Sequence, residues 1–198
     1  SFFSNKNIAI GEGGMVFCKD LKLLETVRSM RSHGMSALTL DRHEGRAFSY
    51  DVENIGLNYR ADEIRAALGI EQLKKLDKGN KARNMISSRY KKNLSQCNVV
   101  IPFSDQINNQ VAACHIMPVV LPKNCDRLEI MKNMKSKGIQ TSIHYPPFSS
   151  FTAYAEFTKL SSIPVANEIC SREITLPLHP RMNQSHVDYV TNNLLACV

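Results

Sequence analysis

No stretch of this sequence approaches the ~18 consecutive apolar residues of a membrane-spanning helix. The opening SFFSNKNIAIGEGG has no basic segment followed by a long apolar run, as a secretory signal would. A soluble, cytoplasmic setting without a membrane partner is expected. The six cysteines, Cys18, Cys97, Cys114, Cys125, Cys170 and Cys197, form no C-x-x-C pair and no closely spaced Cys/His cluster. No metal site is therefore expected, and the thiols are read as reduced and mostly in the core. His43-Glu44 is not a zinc motif, because Ala47 stands where H-E-x-x-H needs its second histidine. Gly11-Glu12-Gly13-Gly14 lacks the Gly-Lys-Ser/Thr of a Walker loop and the spacing of G-x-G-x-x-G. Internal repeats and low-complexity tracts are also lacking.

Acidic residues are the scarcer charge, 18 against 25 Lys and Arg, for a net charge of +7. That balance suits nucleic acid and equally suits anionic phosphate esters. The basic run Lys74, Lys75, Lys78, Lys81, Arg83, Arg89, Lys91 and Lys92 falls on the polar positions of an amphipathic helix with few aromatics interleaved. It reads as a solvated helix face, and no nucleic-acid partner is expected. At 198 residues and 43% hydrophobic content the chain can bury a core in one sizeable domain or two small ones. It begins at Ser1 rather than Met, with its most informative chemistry near that end, so it is expected to be a portion of a longer protein.

The apolar runs IAI and MVF, separated by the glycines at 11, 13 and 14, predict two strands and a tight turn over 8–18, with Lys6 just before them. Asp20 predicts a helix N-cap, followed by Leu21, Leu24 and Val27 on a face packed on that sheet, and a stop near His33-Gly34. His33 there reads as a partner of the helix dipole. Residues 35–58 show no sustained period and read as an extended loop. Ile64, Leu68, Leu73 and Leu76, then 82–94, predict a long helix with a kink near Gly79-Asn80. Beyond a polar loop at 103–110, the pattern predicts a strand at 115–121 and a helix at 126–137 with Leu128, Met131 and Met134 inward. Strands at 139–144 and 173–178 and a final helix capped by Ser185 follow.

Lys6 lies in Ser1-Phe2-Phe3-Ser4-Asn5-Lys6-Asn7, ahead of the glycine-rich turn. A lysine amine that is partly desolvated beside pliant glycines can attack a carbonyl, yet most lysines are solvated surface residues. The order of segments adds what local context lacks. S-F-F-x-x-K-N and G-E-G-G-M are followed by Arg31-Ser32-His33-Gly34, then by Gly56-Leu57-Asn58-Tyr59-Arg60 running into Ala66-Ala67-Leu68-Gly69 and Gln72-Leu73. Ile143-His144-Tyr145-Pro146-Pro147 and Leu176-Pro177-Leu178-His179-Pro180 complete the series. Over nearly the whole chain, this series resembles the DegT/DnrJ/StrS family of sugar aminotransferases.

The resemblance implies an α/β fold-type-I, aspartate aminotransferase-like enzyme dependent on pyridoxal 5'-phosphate (PLP). Residues 1–60 would be the C-terminal part of the large PLP-binding domain, 61–100 connecting long helices, and 101–198 a small α+β domain. Lys6 matches the Schiff-base lysine and proton shuttle, Ser1 a hydroxyl that binds the PLP phosphate, and Asn58 an amide that reaches the phosphate in a neighbouring subunit's site. His144 and Tyr145 match a segment lining the sugar-nucleotide pocket. The implied partners are an amino-acid donor such as glutamate, a nucleotide-linked keto-sugar acceptor, and a second copy in a homodimer with shared active sites. Read without the resemblance, Ser1 is a solvated terminus, Asn58 a helix cap, and His144-Tyr145-Pro146-Pro147 a rigid turn after a strand. The other readings are an inert fragment, a basic binding module, or a dehydratase or cyclitol aminotransferase within the family.

Overall fold

The structure is a computed structural model describing residues 1–37, 39–104, 112–158 and 162–198. It divides into two compact units, Ser1–Leu76 and Asp77–Val198. Of the polar loop expected at 103–110, 105–110 lie outside the described residues, as does Leu38 of the 35–58 segment.

In the first unit Asp20 caps α1 (Leu21–Met30), its carboxylate accepting from the Lys22 and Leu23 amides, which satisfies two of the helix's four orphan donors. The helix stops where His33 (φ 64°) and Gly34 (φ 72°) turn left-handed. The chain then forms α2 (Thr39–His43) and returns antiparallel, with bridges Met35↔Val52 and Ser32↔Asn58. The predicted loop at 35–58 is thus two paired segments around a short helix. Gly34 and Gly56 permit the crossing, since a Cβ on Gly34 would stand 1.8 Å from the Asn54 carbonyl oxygen and one on Gly56 2.3 Å from the Gly34 nitrogen.

The two strands predicted over 8–18 do not form. The Phe2 amide donates to the Gly13 carbonyl and the Ile10 amide to that of Phe2. The positive φ angles of Gly11 and Gly13 carry the backbone away from a hairpin, and Phe17 is 92% exposed. No strand is present among the described residues of this unit, and α1 buries no residue within it.

Helix α3 (Glu63–Asn93) runs 31 residues without interruption through Gly79-Asn80. Its C-terminal half presents Ile86 and Tyr90 to the core of the second unit, and Leu94 just past its end continues the same face, a spacing of four that stacks one side. There β1 (Met117–Val120) and β2 (Glu173–Leu176) pair antiparallel, Met117 opposite Leu176 and Val120 opposite Glu173. Val100 bridges to Val120 and Ser142 to Thr175, extending the pairing by one bridge at each side. Between the strands lie α4 (Arg127–Ser136), two 3-10 turns at 148–150 and 152–154, α5 (Ala155–Thr158) and α6 (Pro164–Arg172), and α7 (Gln184–Leu195) closes the chain. Val119, Leu121, Ile174, Val187 and Leu194 have no exposed surface, each stabilising the unit by about 1.5–3 kcal/mol relative to an exposed position.

Several local expectations shift. In α4 the buried pair is Ile130 and Met134 while Leu128 is 60% exposed, because the Asp126 cap sets a phase in which Leu128 points away from Ile130. The strand expected at 139–144 shrinks to the Ser142 bridge. The Ile139 amide is committed to the Met134 carbonyl and that of His144 to the Glu173 side chain. Helix α7 is capped by Asn183, which exchanges bonds with His186, while Ser185 donates to the Asn183 side chain. All six cysteines are free, as read, but half-buried rather than in the core. Among the described residues no helix is long and apolar enough to cross a membrane.

Candidate functional site

Lys6 sits in a turn built by its own neighbours. The Phe3 amide donates to Ser1 Oγ at 3.3 Å, and the Lys6 amide donates to the Phe3 carbonyl at 2.9 Å, so Ser1 and Lys6 each bond to Phe3 within one turn. The bonds from Phe2 to Gly13 (2.7 Å) and from Ile10 to Phe2 (3.0 Å) close the loop behind them. Buried Ile10 anchors it, its Cγ2 lying 3.4 Å from the position of a Cβ on Gly69 of α3. This contact gives the Ala66-Ala67-Leu68-Gly69 motif a physical role that its helical periodicity did not reveal. Lys6 is half-buried, and its ammonium has no ion-pair partner among the described residues.

Asn58 occupies the returning segment of the same unit, paired with Ser32. Its side-chain Oδ1 accepts from Arg60 Nε at 3.0 Å, leaving its Nδ2 group without a partner among the described residues. Arg60 also reaches His33 Nε2 at 3.4 Å, so His33 supports the Asn58 neighbourhood besides ending the helix. No hydrogen bond joins Asn58 to Ser1 or Lys6.

His144 and Tyr145 belong to the second unit, where they form a separate polar cluster. The His144 amide donates to Glu173 Oε2 at 2.9 Å, and its Nδ1 lies 2.8 Å from Thr175 Oγ1, which donates to Glu173 Oε1 at 2.6 Å. The Tyr145 ring stands edge-on to the imidazole, with centroids 4.9 Å apart. Glu173 and Thr175 went unnoticed in the sequence. Alternate residues of a strand point to opposite faces, so two polar residues two apart in an otherwise apolar strand were the available signal.

The basic run of α3 divides. Its lysines are exposed, whereas Arg83 donates to the carbonyls of Cys114, His115 and Leu178, and burial lowers its pKa. Arg89 pairs with both oxygens of Asp188 at 2.8 Å, and Asn93 adds a third bond to that carboxylate. These two arginines are structural clamps, and the lysines of the run are its exposed remainder.

A sequence model described as the DegT/DnrJ/EryC1/StrS aminotransferase family matches residues 1–195. The spore coat polysaccharide biosynthesis protein SpsC of Bacillus subtilis is 32% identical, over 96% of this chain and 50% of its own length. A UDP-4-amino-4,6-dideoxy-N-acetyl-beta-L-altrosamine transaminase of Helicobacter pylori is 29% identical over 98% of this chain and 50% of its own. Among solved structures, Helicobacter pylori PseC, an aminotransferase involved in the biosynthesis of pseudoaminic acid, superposes with a TM-score of 0.85 at 27% identity. That match covers 100% of this chain and 52% of PseC. The chain thus spans about half the length of the relatives it matches.

Proposed function

Because the chain belongs to the DegT/DnrJ/EryC1/StrS aminotransferase family and has its fold-type-I architecture, we propose that the protein it forms part of transfers an amino group from an amino acid, such as glutamate, to a nucleotide-linked keto-sugar. The observation that carries this reading is the match of the family over residues 1–195; the closed backbone turn that holds Lys6 supports it. Relatives named for polysaccharide biosynthesis and for a sugar transaminase support the substrate class.

The donor chemistry of the first unit fits PLP. The primary amine of Lys6 suits its aldehyde, and the Ser1 hydroxyl and the Asn58 Nδ2 amide suit a phosphate dianion. Bound PLP supplies an electron sink for the carbon that gains or loses nitrogen. Lys6 would hold the cofactor through Nζ and, once released, carry the proton to and from that carbon. Ser1 Oγ and Asn58 Nδ2 would donate to the phosphate, Asn58 in the neighbouring site of a cytoplasmic homodimer. His144 and Tyr145 would line the sugar-nucleotide pocket. In domain terms, 1–60 would complete the large domain, 61–100 connect, and 101–198 form the small domain.

The test adds PLP, then glutamate, to this chain and to the same chain extended upstream to family length, each with a Lys6→Ala counterpart. A visible band in the extended protein that glutamate bleaches and Lys6→Ala abolishes is the expected result. An extended protein without a Lys6-dependent band refutes the reading.

A further inference from the structure

The cluster behind His144 has a direction. A threonine hydroxyl carries one proton, and that of Thr175 goes to Glu173 Oε1 across 2.6 Å, a separation typical of O–H donating to a carboxylate. Glu173 Oε2 accepts the His144 amide. With its proton spent, Thr175 Oγ1 can only accept from His144 Nδ1, 2.8 Å away. Ser142 Oγ, 3.5 Å from the same nitrogen, is too distant to compete. Glu173 and Thr175 are each 5% exposed, so water does not offer ready substitute partners. Nε2 has no partner among the described residues.

We propose that Glu173 and Thr175 are positioning residues that fix His144 as its Nδ1–H tautomer, so that neutral His144 offers its Nε2 lone pair to a hydroxyl or amide N–H of the acceptor sugar. The consequence for substrate rests on the pocket-lining role proposed for His144; the tautomer does not. The edge-on Tyr145 ring limits rotation of the imidazole, and the Ser142–Thr175 backbone bridge, at 2.8 and 3.1 Å, holds the two segments in register. The relay is reversible by one atom. In Glu173→Gln the amide oxygen must face the His144 N–H, so the amide nitrogen faces Thr175 and donates to it. The threonine proton then turns to Nδ1, and the imidazole proton moves to Nε2.

Long-range proton–nitrogen correlation on the full chain labelled with 15N-histidine, at a pH where imidazole is neutral, reads the tautomer directly. His144 is assigned by the signals lost in His144→Gln. The wild type is expected to show Nδ1–H, Thr175→Ser to keep it, Glu173→Gln to exchange the shifts of the two ring nitrogens, and Thr175→Val to lose the Nδ1–H signature. A wild-type Nε2–H signal, or an Nδ1–H signal that persists in both Glu173→Gln and Thr175→Val, overturns the proposal. The wild-type spectrum decides alone if a variant fails to fold. Because the spectrum requires neither PLP nor sugar, failure of the tautomer and failure of the aminotransferase reading are separate results.

Discussion

The two units solve the problem of order differently. In Asp77–Val198 a single cluster of apolar side chains from α3, both strands, α4 and α7 closes around Val119, Ile174 and Leu194. Among the described residues of Ser1–Leu76 the buried hydrophobics are Ile10 and Met35, while Phe48, Ile55, Phe17 and Ile64 are between 84% and 100% exposed. The first unit is instead held by backbone pairing of 30–36 with 51–59, by the Gly34–Gly56 crossing and by the closed loop under Lys6. The side chains proposed to hold the cofactor therefore stand on backbone hydrogen bonds, whereas His144 is anchored on a closed core. Elements with few buried apolar contacts open at lower free-energy cost than core elements.

The largest expected effect contrasts the two kinds of order. Leu194→Ala empties a fully buried position and is expected to destabilise the chain by about 2–5 kcal/mol. Ile64→Ala, at a site 84% exposed, is expected to change stability by no more than about 0.5 kcal/mol. Urea unfolding followed by far-UV circular dichroism measures both. Equal losses would mean that the first unit buries Ile64 in solution, and the contrast would collapse.

Gly34→Ala probes the backbone-held unit itself. The new Cβ would lie 1.8 Å from the Asn54 carbonyl oxygen at a φ of +72°, so the returning segment has to separate. At Gly138, φ is also left-handed (+73°) but nothing lies within 4 Å of a Cβ, which limits alanine there to about 1–2 kcal/mol of backbone strain. Hydrogen exchange is expected to show faster exchange of the His33, Glu53, Leu57 and Tyr59 amides in Gly34→Ala, with the second unit unchanged. Unaltered protection of those four amides would show that the crossing does not hold the segment.

What was legible in the sequence follows the same division. Where one face meets a closed core, local pattern sufficed: the C-terminal half of α3, helix α4 and the cores of β1 and β2 are near where periodicity places them, and the Asp20 cap was legible from its side chain without a core. Where burial is slight, pattern misled. The IAI and MVF runs have strand composition but no ladder partner among the described residues, and the i, i+4 aliphatic pair of α6, Val165 and Ile169, faces solvent and is too short a signal to mark a helix. The readings of Lys6, Ser1 and Asn58 came from motif order, since the turn around Phe3 rests on one backbone bond and one bond to the Ser1 hydroxyl, too little for local pattern to detect. Glu173 and Thr175 were hidden by being read as strand filler.

The smallest expected effect separates the units by pH. Asp188 accepts from Arg89 and Asn93, and these bonds hold its carboxyl down to about 2 from an ordinary 3.8. A depressed folded-state pKa stabilises the chain above the unfolded value, and that stability is lost as pH falls from 3.8 toward about 2. Asp188→Asn keeps the side chain's shape but removes this proton linkage. Its urea midpoint is therefore expected to fall less steeply than that of the wild type over the same interval, starting from a lower value above it. The Lys74–Glu71 pair of the first unit, 2.5 Å apart and more than half exposed at each side chain, lies along one helix where water and salt screen it, so Lys74→Ala is expected to leave the wild-type slope intact. If instead Asp188→Asn reproduces the wild-type slope, the Arg89 clamp adds no pH-dependent stability, and the second unit rests on its apolar core alone.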